Sequence, residues 1–196
     1  MLKVVKFGGT SLASAGQFQK VRDIVLADQN RRYVVASAPG KRFKEDMKVT
    51  DLLLSCYRLV REGESFDEPF EQICDRFREI IKILGLDFSL EDDFARFHER
   101  VRKGASEAYI ASRGEHFNSK ILAAYLGFPF VESADVIVFD EKGRLLEEET
   151  NEKIAAKLSQ YPRAVLPGFY GATEFGDIRI FSRGGSDITG PWLPAR

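Results

Sequence analysis

The first forty residues combine two short apolar runs with one amphipathic stretch. Residues 2–7 are apolar and β-branched and stop at a Gly-Gly pair, which predicts a strand. Apolar residues then recur at helical spacing after Ser14, and Ser14 with Gln17 has the spacing of a capping box. Residues 33–37 form a second Val-rich run. A strand, a helix and a strand in this order predict a βαβ unit with parallel strands and a right-handed crossover.

Four amphipathic stretches follow in the middle of the chain. Each carries apolar side chains at intervals of three and four residues, and each stops at a glycine, which predicts a helix that ends there. The aromatic stripes on these helices indicate core packing. The predicted helices cover about residues 50–63, 70–85, 89–104 and 115–127.

The last third of the chain returns to short apolar runs typical of strands. One further helix is predicted around residues 154–158, and turns are predicted at 140–143 and 173–177. The predicted strands cover residues 136–139, 164–166 and 178–181, the second of them running into a loop at 167–171. The whole pattern predicts one α/β domain with a helical insertion in the middle.

Composition and charge narrow the class of protein. The chain has 196 residues, with 29 Lys and Arg against 30 Asp and Glu, so a nucleic-acid surface or a polybasic membrane anchor is not expected. The longest apolar run is six residues, at 121–126, whereas a membrane span needs about 20. Cys56 and Cys74 have no metal or redox spacing, and we expect both to be buried. The expected location is the cytoplasm.

Three glycine-bearing turns follow predicted strands and suggest a binding site. They are KFGGTS at 6–11, SAPGK at 37–41 and SRGGSD at 182–187. In open parallel sheets ligands bind beyond the carboxyl ends of the strands, and glycines there let backbone N–H groups approach an anion. One Gly-Gly turn alone is most often ordinary turn chemistry. Neither the Walker pattern nor a dinucleotide fingerprint is present.

The two histidines give no sign of a site. His98 is interpreted as a surface residue, and His116 as a capping or packing residue.

Six motifs, in order, resemble those of the aspartate kinases of the amino-acid-kinase family. They are KFGGTS at 6–11, SAPG at 37–40, KVTDLL at 48–53, SRGE at 112–115, PGF at 167–169 and SRGGSD at 182–187. The resemblance implies a carbamate-kinase-like sandwich built on a parallel sheet. It also implies transfer of the ATP γ-phosphoryl group to the side-chain carboxylate of L-aspartate, a first step towards lysine, threonine and methionine. Magnesium would be carried on ATP, and no protein ligand for a metal is expected.

The same resemblance assigns roles to single residues. It places Lys6 as a catalytic residue that neutralises phosphate oxygens, beside the phosphate-binding residues Gly8, Gly9, Thr10 and Ser11. Asp187 is the second catalytic residue, and Arg183 would pair with the aspartate α-carboxylate. Asp187 and Glu115 would face the α-ammonium group. The substrate-binding residues that the motifs imply are Ser37, Thr50, Glu115, Arg183 and Ser186. A carboxylate acceptor is already ionised at neutral pH, so the reaction needs no general base.

The resemblance also sets an expectation about domain organisation. Members of the family continue beyond the last motif into the rest of the nucleotide site and into regulatory ACT domains. We therefore expect residues 1–196 to be the N-terminal, aspartate-binding portion of a kinase domain, C-terminally truncated, without ACT domains. The exposed sheet edge would permit self-association or a partner chain.

Two alternatives to an active aspartate kinase stay open. One is a non-catalytic module that binds aspartate or another anion, or that requires a partner chain. The other is a kinase for glutamate or carbamate, which the motifs at 112–115 and 183–187 disfavour.

Overall fold

The computed structural model describes residues 2–181, and this part of the chain contains six strands and six α-helices. The strands are Lys3–Phe7 (β1), Arg31–Ala36 (β2), Val138–Phe139 (β3), Ala164–Pro167 (β4), Tyr170–Thr173 (β5) and Ile178–Ile180 (β6). The helices are Ala15–Leu26 (α1), Val49–Glu62 (α2), Asp67–Leu84 (α3), Glu91–Arg102 (α4), Glu107–Leu126 (α5) and Glu147–Leu158 (α6). None of the helices in this range is both long and apolar enough to cross a membrane.

A three-stranded parallel sheet, in the order β1-β2-β4, forms the centre of the fold. This arrangement confirms the βαβ unit that the first forty residues predict. The strands are in register at their carboxyl ends, because Phe7 pairs with Ala36 and Ala36 pairs with Pro167. The loops that follow these three strands therefore leave the sheet side by side at one edge.

A second, smaller sheet has the order β3-β5-β6. Strand β3 runs parallel to β5, and β6 runs antiparallel to β5. The sequence predicts β3 and β6 but not β5, since residues 167–171 were expected to form a loop. Gly171 explains the error, because a Cβ at this position would lie 2.3 Å from the carbonyl oxygen of Ile137. This glycine allows two backbones to approach closely inside a strand, as glycines in strands often do.

Two apolar cores lie on opposite faces of the parallel sheet. In β2, Val34 and Ala36 belong to the core shared with α1 to α5, whereas Tyr33 and Val35 belong to the core shared with α6 and β3. The strand is therefore buried on both faces, which is the usual state of a parallel strand and accounts for its continuous apolar run. The period of two along a strand assigns neighbouring residues to different cores.

The Tyr33 hydroxyl makes the polar contact of the smaller core. It lies 3.2 Å from the carbonyl oxygen of Leu158 and 3.2 Å from that of Tyr161, at the end of α6. The ring is otherwise buried, with 6% of the residue exposed. A buried tyrosine hydroxyl needs a partner, and here the C-terminal carbonyls of a helix provide it.

Helices α2 to α5 form the predicted helical insertion and pack through their aromatic stripes. Phe117 of α5 is edge-on to Phe77 of α3 at 5.7 Å and to Phe94 of α4 at 5.3 Å between ring centres. Edge-to-face pairs at these distances are favourable beyond the area they bury. Helices α2 and α3 end at Gly63 and Gly85, which have positive φ and the left-handed conformation typical of a helix C-cap. These features confirm the prediction of core packing and of glycine ends.

The N-termini of α1 and α5 depart from the sequence predictions. Ser14 is the N-cap of α1, but its side chain makes no capping hydrogen bond within the described residues; its carbonyl accepts from the N–H of Gln17 instead. Helix α5 begins at Glu107 and not near residue 115, with the hydroxyl of Ser106 accepting from the N–H of Tyr109 at 3.2 Å. The SRGE motif therefore lies within a helix and not at a turn.

Both cysteines are buried free thiols, as expected. Burial raises the pKa of the Cys56 thiol and of the Cys74 thiol to about 12. A thiol in this state behaves as a small apolar side chain.

Candidate active site at the carboxyl edge of the parallel sheet

The loops after β1 and β2 touch backbone to backbone. The N–H of Ser37 donates to the carbonyl of Phe7 at 3.1 Å, and the N–H of Gly40 donates to the carbonyl of Gly9 at 2.8 Å. A Cβ on Gly9 would lie 2.8 Å from the carbonyl oxygen of Ala38, and a Cβ on Gly40 would lie 2.8 Å from the carbonyl carbon of Gly9. Glycine is therefore required on both sides of this contact, which we call the glycine contact.

The residues predicted to bind phosphate lie at the end of β1 and in the turn that follows it. Lys6 is the penultimate residue of β1 and is half-buried. Gly8 is exposed, and a Cβ there would meet no atom within 4 Å. Thr10 and Ser11 are exposed in the 3-10 turn Gly9–Leu12. The arrangement is an exposed glycine-bearing turn directly after a parallel strand, which is a geometry that suits anions.

The middle of α5 lies against the second loop. The side-chain amide of Asn118 donates to the carbonyl of Ser37 at 2.7 Å. A Cβ on Gly114 would lie 2.8 Å from the Cβ of Ala38 and 3.4 Å from Val49 at the start of α2. The helix, the loop and the start of α2 are therefore in direct contact, and Gly114 makes the close approach possible.

The start of α2 brings Thr50 to the same edge. Thr50 is the second residue of the helix and is half-buried. The N–H of its neighbour Val49 donates to the carbonyl of Pro39 at 3.3 Å, which ties the helix N-terminus to the second loop. Ser37, Thr50 and the middle of α5 thus surround one end of the sheet.

Glu115 is the buried carboxylate of this edge, with 6% of the residue exposed. Burial raises the pKa of its carboxyl group to about 8, although the backbone N–H of Ala38 and the charge of Arg113 act in the opposite direction. Its Oε2 atom has no hydrogen-bond partner among the described residues. Such a carboxyl group either holds a proton or requires a cation.

Arg113 lies two residues before Glu115 in α5 and is also buried. Its guanidinium carbon lies 4.7 Å from the ring centre of Tyr109 and 5.0 Å from that of Tyr170. Its Nε and Nη2 atoms donate to the hydroxyl of Ser112 at 3.1 and 2.9 Å. Two aromatic faces and a hydroxyl therefore hold this cation in one orientation.

Tyr170 also belongs to a partly buried network of polar and charged side chains. The Tyr170 hydroxyl donates to Oε1 of Glu132 at 2.5 Å, and Nδ1 of His116 lies 2.7 Å from Oε2 of the same carboxylate. Nε2 of His116 lies 3.8 Å from Asp93. Burial alone would raise the pKa of Glu132, but the hydrogen bond and charge of His116 hold it at about 2. No local pattern in the sequence links these residues, and His116 is inside α5 and not at the expected helix start.

Three of the predicted site residues, Arg183, Ser186 and Asp187, lie outside the described residues. Within residues 2–181 there is no group of three or more His, Cys, Asp or Glu side chains that could hold a metal ion.

The structure is that of an α/β protein. Its candidate binding site lies at the sheet edge, where touching glycine loops follow parallel strands beside a buried carboxyl group. The comparison with family models specifies the class further. The model of the amino acid kinase family matches residues 1–193, and the chain belongs to this family.

The most similar relatives considered are aspartokinases. Aspartokinase 3 of Bacillus subtilis is 37% identical over 98% of this chain, and the aspartokinase of Chlamydia pneumoniae is 30% identical over 96% of it. The matches cover 45% and 44% of those proteins, so the chain spans less than half the length of the relatives it matches.

Solved structures agree with this assignment. The aspartate kinase of Clostridium acetobutylicum superposes with a TM-score of 0.95 at 45% identity, over 98% of this chain and 44% of that one. Aspartokinase III of Escherichia coli superposes with a TM-score of 0.80 at 24% identity, over 98% of this chain and 46% of that one, which establishes the shared fold. The fold predicted from the six motifs is thereby confirmed.

Proposed function

We propose that this chain is the aspartate-binding N-terminal portion of an amino acid kinase domain that phosphorylates the side-chain carboxylate of L-aspartate with ATP. The product would be 4-phospho-L-aspartate, on the route to lysine, threonine and methionine. The names of the relatives support this substrate, and the E. coli aspartokinase III structure is described as a complex with aspartate and ADP. The two buried free thiols suit the reducing cytoplasm, which is part of the proposal.

The observation that carries the proposal is the buried carboxyl group of Glu115 with its unpartnered Oε2 atom. The α-ammonium group of an amino acid would supply the missing cation and hydrogen-bond donor. Ser37 and Thr50 are proposed to donate or accept further hydrogen bonds to the same substrate. Arg183 is proposed for its α-carboxylate, and Ser186 is proposed as a further substrate-binding residue, by their match to the family motif.

The phosphate side of the proposal involves the first loop. Lys6 would neutralise phosphate oxygens, and the backbone N–H groups of Gly8 and Gly9, with the hydroxyls of Thr10 and Ser11, would hydrogen-bond to them. ATP would supply the phosphoryl group and carry Mg²⁺. Asp187 is proposed as the second catalytic residue. The chain's own task is to position two anions and to neutralise their charge, because the attacking carboxylate needs no general base.

Binding of L-aspartate tests the central observation. Isothermal titration calorimetry of the full chain should give an affinity that falls by about tenfold or more in Glu115→Gln, since the charge-assisted hydrogen bond is lost. Glu107→Gln is the matched control, because Glu107 is exposed in the first turn of the same helix. Equal affinity in the wild type and Glu115→Gln would contradict the proposal.

Turnover separates the proposed enzyme from its alternatives. Coupled release of ADP is measured with ATP, Mg²⁺ and L-aspartate, with Lys6→Ala as the inactive control and L-glutamate and carbamate as competing acceptors. Release that depends on L-aspartate and on Lys6 supports an aspartate kinase. Aspartate binding without ADP release supports the non-catalytic module or the need for a partner chain, and light scattering then shows whether the chain self-associates.

A further inference from the structure

Arg76 of α3 is a buried arginine that binds the main chain of three separate segments. Its Nη1 atom donates to the carbonyl of Met47 at 2.9 Å, and its Nη2 atom donates to the carbonyl of Ala13 at 3.2 Å and to that of Gly40. Only 4% of the residue is exposed. Sequence patterning gives no reason to expect this cation inside the core, so its burial calls for a physical explanation.

The three carbonyls belong to the segments that bound the glycine contact. Ala13 is the C-cap of the 3-10 turn that follows β1, and Gly40 is the residue that contacts Gly9. Met47 lies in the segment that leads from the second loop into α2. One side chain from the helical layer thus connects both glycine loops and the start of α2.

Asp46 supplies the countercharge. Its Oδ2 atom lies 3.4 Å from Nη1 of Arg76 and also accepts from Nε of Arg42 at 2.9 Å. Burial lowers the pKa of Arg76, and the Asp46 carboxylate offsets part of this effect. Nε of Arg76 has no partner among the described residues. The guanidinium group is therefore desolvated and is bound mainly by backbone oxygens, which is costly in stability and suggests a role other than stabilisation.

We propose that Arg76 is a positioning residue for the glycine loops, holding their carbonyl oxygens inward so that their amide groups face the bound phosphates. A trans peptide directs its N–H opposite to its C=O, so the hydrogen bond to Gly40 also fixes the direction of the N–H of Lys41. Preorganised amide donors bind an anion without the cost of reorganising the loop. The identity of the ligand, the phosphates of ATP, rests on the proposed function, whereas the positioning of the loops does not.

Hydrogen exchange of the full chain, with no ligand present, tests the positioning directly. Arg76→Lys keeps the charge but loses the two-pronged donor, and Asp46→Asn removes the countercharge. Arg78→Met is the matched control, because Arg78 lies on the same helix but is exposed and pairs with Glu91 outside the loops. Backbone amides at residues 9–14 and 40–48 should exchange about tenfold faster in Arg76→Lys and in Asp46→Asn than in the wild type. Their exchange rates should be unchanged in Arg78→Met.

The remote helix α6 is the internal reference for this measurement. Equal acceleration in α6 and in the loops would mean that Arg76 acts on overall stability alone, and that result would overturn the proposal. Unchanged exchange in both loops would overturn it as well. Faster exchange confined to the loops supports it.

Binding of ADP, measured by calorimetry, then tests the link to the ligand. Arg76→Lys should weaken ADP binding by about tenfold and weaken binding of L-aspartate less, because Ser37 and Thr50 border the held segments whereas Glu115 lies on α5. Equal loss of both affinities would overturn the assignment to the phosphate loops. If the wild type binds no ADP, the proposed nucleotide function fails, and the exchange experiment still decides the role of Arg76.

Discussion

Near neutral pH we expect the Glu115 carboxyl group to be uncharged in the folded chain and charged in the unfolded chain. Glutamine at this position is uncharged in both states. In the folded chain the pKa of Glu115 is raised to about 8 from an ordinary value of 4.5, because burial outweighs the hydrogen bond from Ala38 and the charge of Arg113. Between these two values the folded protein keeps the proton and the unfolded protein releases it. The unfolded state is favoured as pH rises through this window, so the wild type loses stability. Glutamine does not titrate in this range, so the stability of Glu115→Gln does not fall with pH for this reason.

The size of the difference follows from the pKa shift. One pKa unit corresponds to about 1.4 kcal/mol, so the wild-type penalty grows by roughly that amount per pH unit above the unfolded pKa. At pH 7 it should reach about 3 kcal/mol, as an order of magnitude, and above about pH 8 it should grow no further. The variant is therefore expected to be more stable than the wild type at neutral pH while binding aspartate less well, which is a common trade-off at functional sites.

Urea unfolding followed by circular dichroism measures the free energy of unfolding at several pH values between about pH 5 and pH 8. The relevant quantity is the difference in free energy of unfolding between Glu115→Gln and the wild type, since contributions from groups that both chains share cancel. Glu107→Gln is the control for loss of a carboxylate from an exposed position on the same helix. A difference that stays constant with pH would refute the reasoning, because it would mean that Glu115 is ionised in the folded chain.

Two further predictions concern the interior. Gly171→Ala should lower the free energy of unfolding by about 2–3 kcal/mol, because its Cβ would lie 2.3 Å from the carbonyl oxygen of Ile137. Gly16→Ala, a helical position with open space around its Cβ, should be neutral or stabilising by up to about 1 kcal/mol, and equal melting temperatures for the two variants would contradict the argument. Cys56 and Cys74, whose thiol pKa values burial raises to about 12, should react with a thiol reagent at the rate of unfolding, and fast labelling of the native chain would show that they are accessible.

The sequence predictions were most accurate where the signal is local. Helix α3 has an amphipathic period, and it ends at Gly85, whose φ of 64° is one that glycine adopts without strain. The same reasoning located α2 and α4 to within a few residues. Strand β2 was found from its apolar run, because a parallel strand buried on both faces shows no polar alternation.

Two errors in the fold lie beside glycines. Gly114 lies just before the predicted helix start near residue 115, whereas the helix passes through it. Its role is to let α5 approach Ala38, where a Cβ would be 2.8 Å from the neighbouring one. Gly171 likewise lets β5 approach the backbone of Ile137. A close approach of distant segments leaves no local signal, so propensity alone predicts a break in both cases.

The candidate site could be predicted only in part. The loops after β1 and β2 were expected at one sheet edge from strand order, and the register of the strand ends confirms this placement; the roles of their residues stay predictions. Arg76 and the network of His116 with Glu132 could not have been found from spacing. Arg76 is 36 residues from Gly40 along the chain, and a charged side chain on an amphipathic helix is normally exposed.

The division of β2 between two cores has a consequence for how the chain folds. A slip of one residue in the pairing of this central strand would place Tyr33 and Val35 among the helices, and Val34 and Ala36 against α6. All four are buried and apolar, so hydrophobicity discriminates poorly between the two alignments. The hydroxyl of Tyr33 does discriminate, because both of its acceptors among residues 2–181 lie on the α6 side, at the carbonyls of Leu158 and Tyr161. The phenolic oxygen of Tyr33 thereby favours the observed register of β2, the strand from which the second glycine loop emerges.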